Sequence, residues 1–92
     1  DLILAFPNER TAFIGFFMMD REHQNKGLGS IIVSELSEAL SKEGIEAIQL
    51  AWVQNNPQPK AFWHKNGFIE TGDISHMENY SVVVAKRNLQ SR

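Results

Sequence analysis

The chain has no cysteine. That excludes a disulfide framework, a thiolate nucleophile and any metal site built on sulfur. An excess of one charge is lacking too: nine Lys and Arg stand against eleven Asp and Glu, a formal net charge of −2. Gripping a phosphate backbone takes a strongly basic face, so this balance argues against a nucleic-acid partner. Long hydrophobic runs are missing as well. No apolar stretch approaches the roughly 20 residues that cross a bilayer, and the N-terminus does not show the basic-then-apolar layout of a secretory signal. A cytoplasmic location with no membrane partner is therefore expected. Histidine occurs three times, at His23, His64 and His76. These do not follow metal-ligand spacing such as His-x-x-x-His, so no metal site is expected. The one tyrosine, Tyr80, lies in an apolar stretch that suits strand packing.

What is present describes a small globular unit. With 92 residues, 42% of them hydrophobic, the chain can bury one modest core, and one domain covering residues 1–92 is all it can hold. Leu2 to Phe6 reads as a short strand and Pro7 to Arg10 as a turn. Thr11 to Met19 pairs back as the second strand of a hairpin. Apolar on nearly every residue, it suits a strand covered on both faces or one lying against a ligand, and Gly15 inside it marks a bulge, a close backbone approach or a crowded core position. From Ser30 to Glu43, Ile31, Ile32, Leu36, Ala39 and Leu40 recur at helical spacing, with Lys42 near the end and Gly44 placed to close the helix. Ile45 to Val53 is the next strand. Strand, helix and strand in succession predict a parallel crossover.

A second helix follows. Asn55 or Asn56 can cap it, Pro57 suits its first position, and it runs through Ala61, Phe62 and Lys65 to stop at Gly67. Phe68 to Thr71 and Tyr80 to Ala85 read as strands separated by a break at Gly72-Asp73, with Lys86 to Arg92 as a loose tail. The expected fold is α/β, in the mixed α+β sense: one mixed sheet with two helices. It divides into a hairpin (1–19), a loop, helix and strand (20–53), a second helix with the C-terminal strands (54–85), and the tail (86–92).

The most informative segment is Gln24-Asn25-Lys26-Gly27-Leu28-Gly29-Ser30. It joins the long apolar strand to the first helix. The first turn of a helix leaves its N–H groups unpaired and carries the positive end of the macrodipole, so an anion such as a pyrophosphate is favoured there. Gly27 and Gly29 carry no side chain to block an oxygen ligand from the main chain. Lys26 adds a positive charge.

This string resembles the pyrophosphate loop of the GNAT superfamily of N-acetyltransferases: Gln or Arg, two residues, Gly, one residue, then Gly or Ala. Gln24, Gly27 and Gly29 match it. A second signature of that family is a strand, an Asn and a short helix ending in an aromatic residue, Lys, any residue, Gly and Phe. Asn56 and Trp63 to Phe68 reproduce it, in the expected order. The resemblance spans about Thr11 to Phe68. It implies acetyl-CoA as cosubstrate and transfer of the acetyl group to an amine by direct attack on the thioester. It assigns cofactor contacts to Met18, Met19, Gln24, Asn25, Lys26, Gly27, Leu28, Gly29, Ser30, Asn56 and Trp63, with the main-chain N–H at Met18 or Met19 as oxyanion donor.

Departures from the family pattern are equally specific. A Tyr that can protonate the departing sulfur is common four residues before the Gly, where this chain has Trp63, an indole that donates a hydrogen bond but does not titrate usefully. Pro59 stands where a small Ala is frequent. Asp20 and Glu22 lie just past the apolar strand, but carboxylates in a surface loop are usually solvated, and no general base is assigned. A complete member of the family begins with a strand and two helices that build much of the acceptor site, for which this chain has no room. The expected partners are therefore acetyl-CoA, an amine, and either a second copy of the chain or the N-terminal segment. A CoA-binding or dimerising module without transferase activity is the alternative.

Overall fold

A computed structural model describes residues 3–16 and 27–89. Strand β1 (Ile3–Asn8) turns into β2 (Thr11–Phe16) through Glu9-Arg10. Asn8 sets the turn with its own side chain, whose Oδ1 accepts the Arg10 N–H at 2.8 Å. β1 thus runs through Pro7, which was expected in the turn. The ladder with β2 is irregular between Ala5 and Asn8, and β1 is the sheet's edge; edges and bulges are where a residue without an N–H does no harm.

Helix α1 (Leu28–Lys42) starts two residues before the expected Ser30. It returns the chain to β3 (Ala47–Val53), which lies parallel to β2 as the crossover requires. Helix α2 (Pro57–Lys65) follows, with Pro57 at its first position and Asn56 as N-cap. β4 (Ile69–His76) and β5 (Ser81–Asn88) complete a five-stranded mixed sheet in the order β1-β2-β3-β5-β4. The last strand is inserted between β3 and β4, antiparallel to both.

The expected break at Gly72-Asp73 is a bulge within a continuous β4. The register with β5 shifts between Glu70 and Ile74, and Gly72 sits at φ 97°, a left-handed conformation that an L side chain resists. The expected loose tail is partly bound. β5 continues through Lys86 to Asn88, Ala47 faces Asn88, and the Leu89 N–H donates to the Glu46 carbonyl at 2.8 Å. Charged residues at its end masked the strand in the sequence, because this half of β5 is held by backbone pairing.

Both helices cover one face of the sheet. Ala12 and Ile14 of β2, Ile48, Leu50 and Trp52 of β3, and Val83 and Ala85 of β5 alternate onto that face and form one core with Val33 and Leu40 of α1 and Trp63 of α2. Phe68, Ile48, Leu50 and Val33 are its largest fully buried side chains. Trp63 packs edge-on against Phe68 with ring centroids 5.2 Å apart, an arrangement worth about 0.5–1.5 kcal/mol beyond the buried area. Phe13, Gln49, Ala51, Val53, Val82 and Val84 lie on the opposite face, half-buried or exposed. Among the described residues nothing covers it.

Candidate functional site

The open ends of the two parallel strands define the site. The β2–β3 ladder pairs Thr11 to Ile14 with Ala47 to Leu50 and stops there. Both strands continue: β2 reaches Phe16, still paired to β1, and β3 reaches Val53, still paired to β5. Among the described residues, the facing edges of these two neighbouring strands therefore no longer bond to each other beyond Ile14 and Leu50. An unpaired edge in a sheet is a template for another extended, amide-bearing group. Gly15, flagged as a bulge or close approach, lies one residue past the parting point and is exposed.

Each strand then leads to a helix N-terminus at the same end of the sheet. Gly27 is the N-cap of α1 at φ 73°, ψ 5°, a left-handed turn that brings the chain into the helix. Gly27 offers no capping side chain, and the first turn of α1 carries no acid. The first hydrogen bond back into the turn is from the Ile31 N–H to the Gly27 carbonyl, 3.2 Å. The N–H groups of Leu28, Gly29 and Ser30 precede it, and together with the helix dipole they favour an anion.

At the other helix, Asn56 is extended (φ −100°, ψ 104°) and its side chain makes no capping bond. Instead it lines a cleft of about 380 Å³ with Trp52, Gln54, Asn55, Lys60 and Glu70. Glu70 sits across from α2, its Oε2 3.2 Å from His64 Nε2 and 3.6 Å from Lys60 Nζ. The His64 ring meets Trp52 edge-on at 5.9 Å. Trp63 is 6% exposed, between Phe62 and Phe68. The two helices touch where Asn66, the C-cap of α2, donates from Nδ2 to the Ser30 hydroxyl oxygen at 3.1 Å.

Comparison with known proteins places this arrangement. The model of the acetyltransferase (GNAT) family matches residues 2–68. The chain belongs to the GNAT acetyltransferase family. No curated protein matches it by sequence. Among solved structures, Ard1 from Thermoplasma volcanium superposes with a TM-score of 0.87 at 16% identity, over 98% of this chain and 62% of its own. A GNAT family acetyltransferase from Elizabethkingia anophelis with acetyl-CoA bound gives 0.82 at 16%, over 96% and 67%. An acetyltransferase from Bacillus subtilis in complex with CoA gives 0.81 at 20%, over 97% and 68%. At such identities the likeness shows the fold, and the chain spans about three-fifths of the length of the first of these relatives.

In this GNAT chain Gly27, Gly29 and Ser30 come together at the α1 N-terminus and Asn56 at that of α2, while Trp63 lies in the core. Met18, Met19, Gln24, Asn25 and Lys26 fall outside the described residues, as do Asp20, Glu22 and His23. The sequence reading passed over Asn66 and Glu70. Lys60 and His64 sit four apart on one helix face, a spacing that points to a shared acid, but nothing local predicts the bond from Asn66 to a residue in α1.

Proposed function

We propose that this chain is the cofactor-holding part of an N-acetyltransferase that moves the acetyl group of acetyl-CoA to a primary amine. The observation that carries this is the parting of the described parts of β2 and β3 beyond Ile14 and Leu50, at the mouth of a helix whose N-cap is Gly27. A pantetheine arm is extended and carries amides, so it suits the unpaired strand edges. A diphosphate suits the N–H groups at Leu28, Gly29 and Ser30 behind Gly27, and Gln24, Asn25 and Lys26 are assigned to the same ligand by the family motif. Asn56, the N-cap of α2 whose side chain makes no capping bond, is assigned to a pantetheine amide. Two relatives of the same fold hold acetyl-CoA or CoA.

In this reading the amine nitrogen attacks the thioester carbonyl carbon, the oxygen takes the negative charge, and the C–S bond breaks to release CoA thiolate as the nitrogen loses a proton. The main-chain N–H of Met18 or Met19 is the proposed oxyanion donor, by the family resemblance. Trp63 supplies no acid, because an indole does not titrate and this one is packed between two phenylalanines. The thiolate leaves unprotonated. The acceptor wall is assigned to the uncovered sheet face, completed by a preceding segment or by a second copy in a homodimer, in a cytoplasmic setting.

The packed Trp63 also favours a second reading, a CoA-binding or dimerising module that transfers nothing. Titration calorimetry with acetyl-CoA tests the shared premise, and thiol release over a panel of primary amines separates the two. Binding with amine-dependent thiol release is the expected result. Binding without release supports the second reading, and no binding overturns both.

A further inference from the structure

The Asn66 side chain joins the two helices that flank the site. Its Nδ2 lies 2.9 Å from the Phe62 carbonyl oxygen and 3.1 Å from Ser30 Oγ. A carbonyl only accepts, so the nitrogen faces Phe62, and its second proton goes to Ser30. Asn66 is itself held: its main-chain carbonyl accepts from Arg87 Nη1 at 3.2 Å, and the Arg87 side chain lies beside Gly67, where an added Cβ would meet it at 3.6 Å. β5, α2 and the first turn of α1 are thus tied in series.

The consequence falls on a hydroxyl. Ser30 Oγ has one proton to donate and lone pairs to accept. With Asn66 donating to the oxygen, the Ser30 proton is turned away from Asn66, and at the third position of a helix it can join the main-chain N–H groups that face an incoming anion. We infer that Asn66 is a positioning residue for diphosphate recognition: it fixes Ser30 as a donor and holds the α1 entrance against α2. This rests on the acetyl-CoA reading above and assigns Asn66 a role through Ser30, with no contact of its own to the cofactor.

The test is a double-mutant cycle on the full chain, Ser30→Ala and Asn66→Ala singly and together, read by calorimetry with two ligands. Acetyl-CoA carries the diphosphate; acetyl-pantetheine does not. A hydrogen bond to a charged group lost in each single variant weakens acetyl-CoA about tenfold. The double variant loses no more than Ser30→Ala, and acetyl-pantetheine binding is unchanged throughout. A purely structural cap on α2 would weaken both ligands alike and add to Ser30→Ala, and either result overturns the inference. Should Asn66→Ala fail to fold, Asn66→Asp keeps the shape but draws the Ser30 proton to itself. It is expected to weaken acetyl-CoA at least tenfold and to spare acetyl-pantetheine; equal losses would again refute the role. If the unsubstituted chain does not bind acetyl-CoA, the parent reading falls. If it binds and the Asn66 variants bind as well, only this inference falls.

Discussion

Gly27 allows stability and recognition to be separated at one position. It enters α1 at φ 73°, and a Cβ built there meets nothing within 4 Å. A Gly27→Ala substitution therefore causes no clash, and its cost is confined to the backbone. Holding alanine in a left-handed conformation costs about 1–2 kcal/mol. Stiffening the unfolded chain returns about 0.4–1 kcal/mol of that. The net loss is about 1 kcal/mol, which in a domain of this size lowers Tm by roughly 4–8 °C. Gly27→Asn should lose well under half as much, because asparagine tolerates this region. Urea denaturation of the three proteins measures the order Gly, Asn, Ala. Acetyl-CoA titration then reads the second effect: a β-carbon in the turn obstructs the approach of an anion to the main chain, and both variants should bind roughly tenfold more weakly, about 1.4 kcal/mol. An alanine variant as stable as the parent, or an asparagine variant no better than alanine, would refute the conformational argument. Undiminished acetyl-CoA affinity in both variants would refute the placement of the diphosphate.

Three further outcomes follow from the packing and the proposed ligand. Phe68, 1% exposed and stacked edge-on against Trp63, should cost about 3–5 kcal/mol on substitution by alanine, seen as a lower urea midpoint with an unchanged slope. Arg10→Met removes the 3.0 Å pair with Glu46, whose side chains are 70% and 58% exposed; less than about 1 kcal/mol should be lost, and less again in high salt. Acetyl-CoA at about a hundred times its Kd should stabilise the chain by about 2.7 kcal/mol, read as a rise in Tm of about 10 °C or more.

The sequence was legible where one local rule governed. Ile31 to Leu40 announced α1 by helical spacing, Pro57 announced the start of α2, and the apolar run that begins at Thr11 announced β2. It was less legible where distant pairing overrode local preference. Gly72-Asp73 signals a break, yet neighbouring β5 carries β4 across it as a bulge. Lys86, Arg87 and Asn88 are a tail by composition and a strand because Ala47, Ile48 and Gln49 pair with them. At the site, the glycines of the α1 entrance were readable because an open backbone approach demands a residue without a side chain. The Asn66–Ser30 bond was not, since a hydrogen bond across 36 positions leaves no periodic trace. Trp63 could be either pocket wall or core from sequence alone; in the structure it is buried between Phe62 and Phe68.

The insertion of β5 between β3 and β4 also dictates when this molecule can finish folding. β4 is synthesised before β5 yet, among the described residues, pairs with β5 alone, so it lacks this neighbour until β5 emerges and wedges into place. A premature stop at Ser81 would remove the neighbour that both β3 and β4 need, exposing two bare strand rims to whatever aggregates at them. β5 acts as a keystone between β3 and β4.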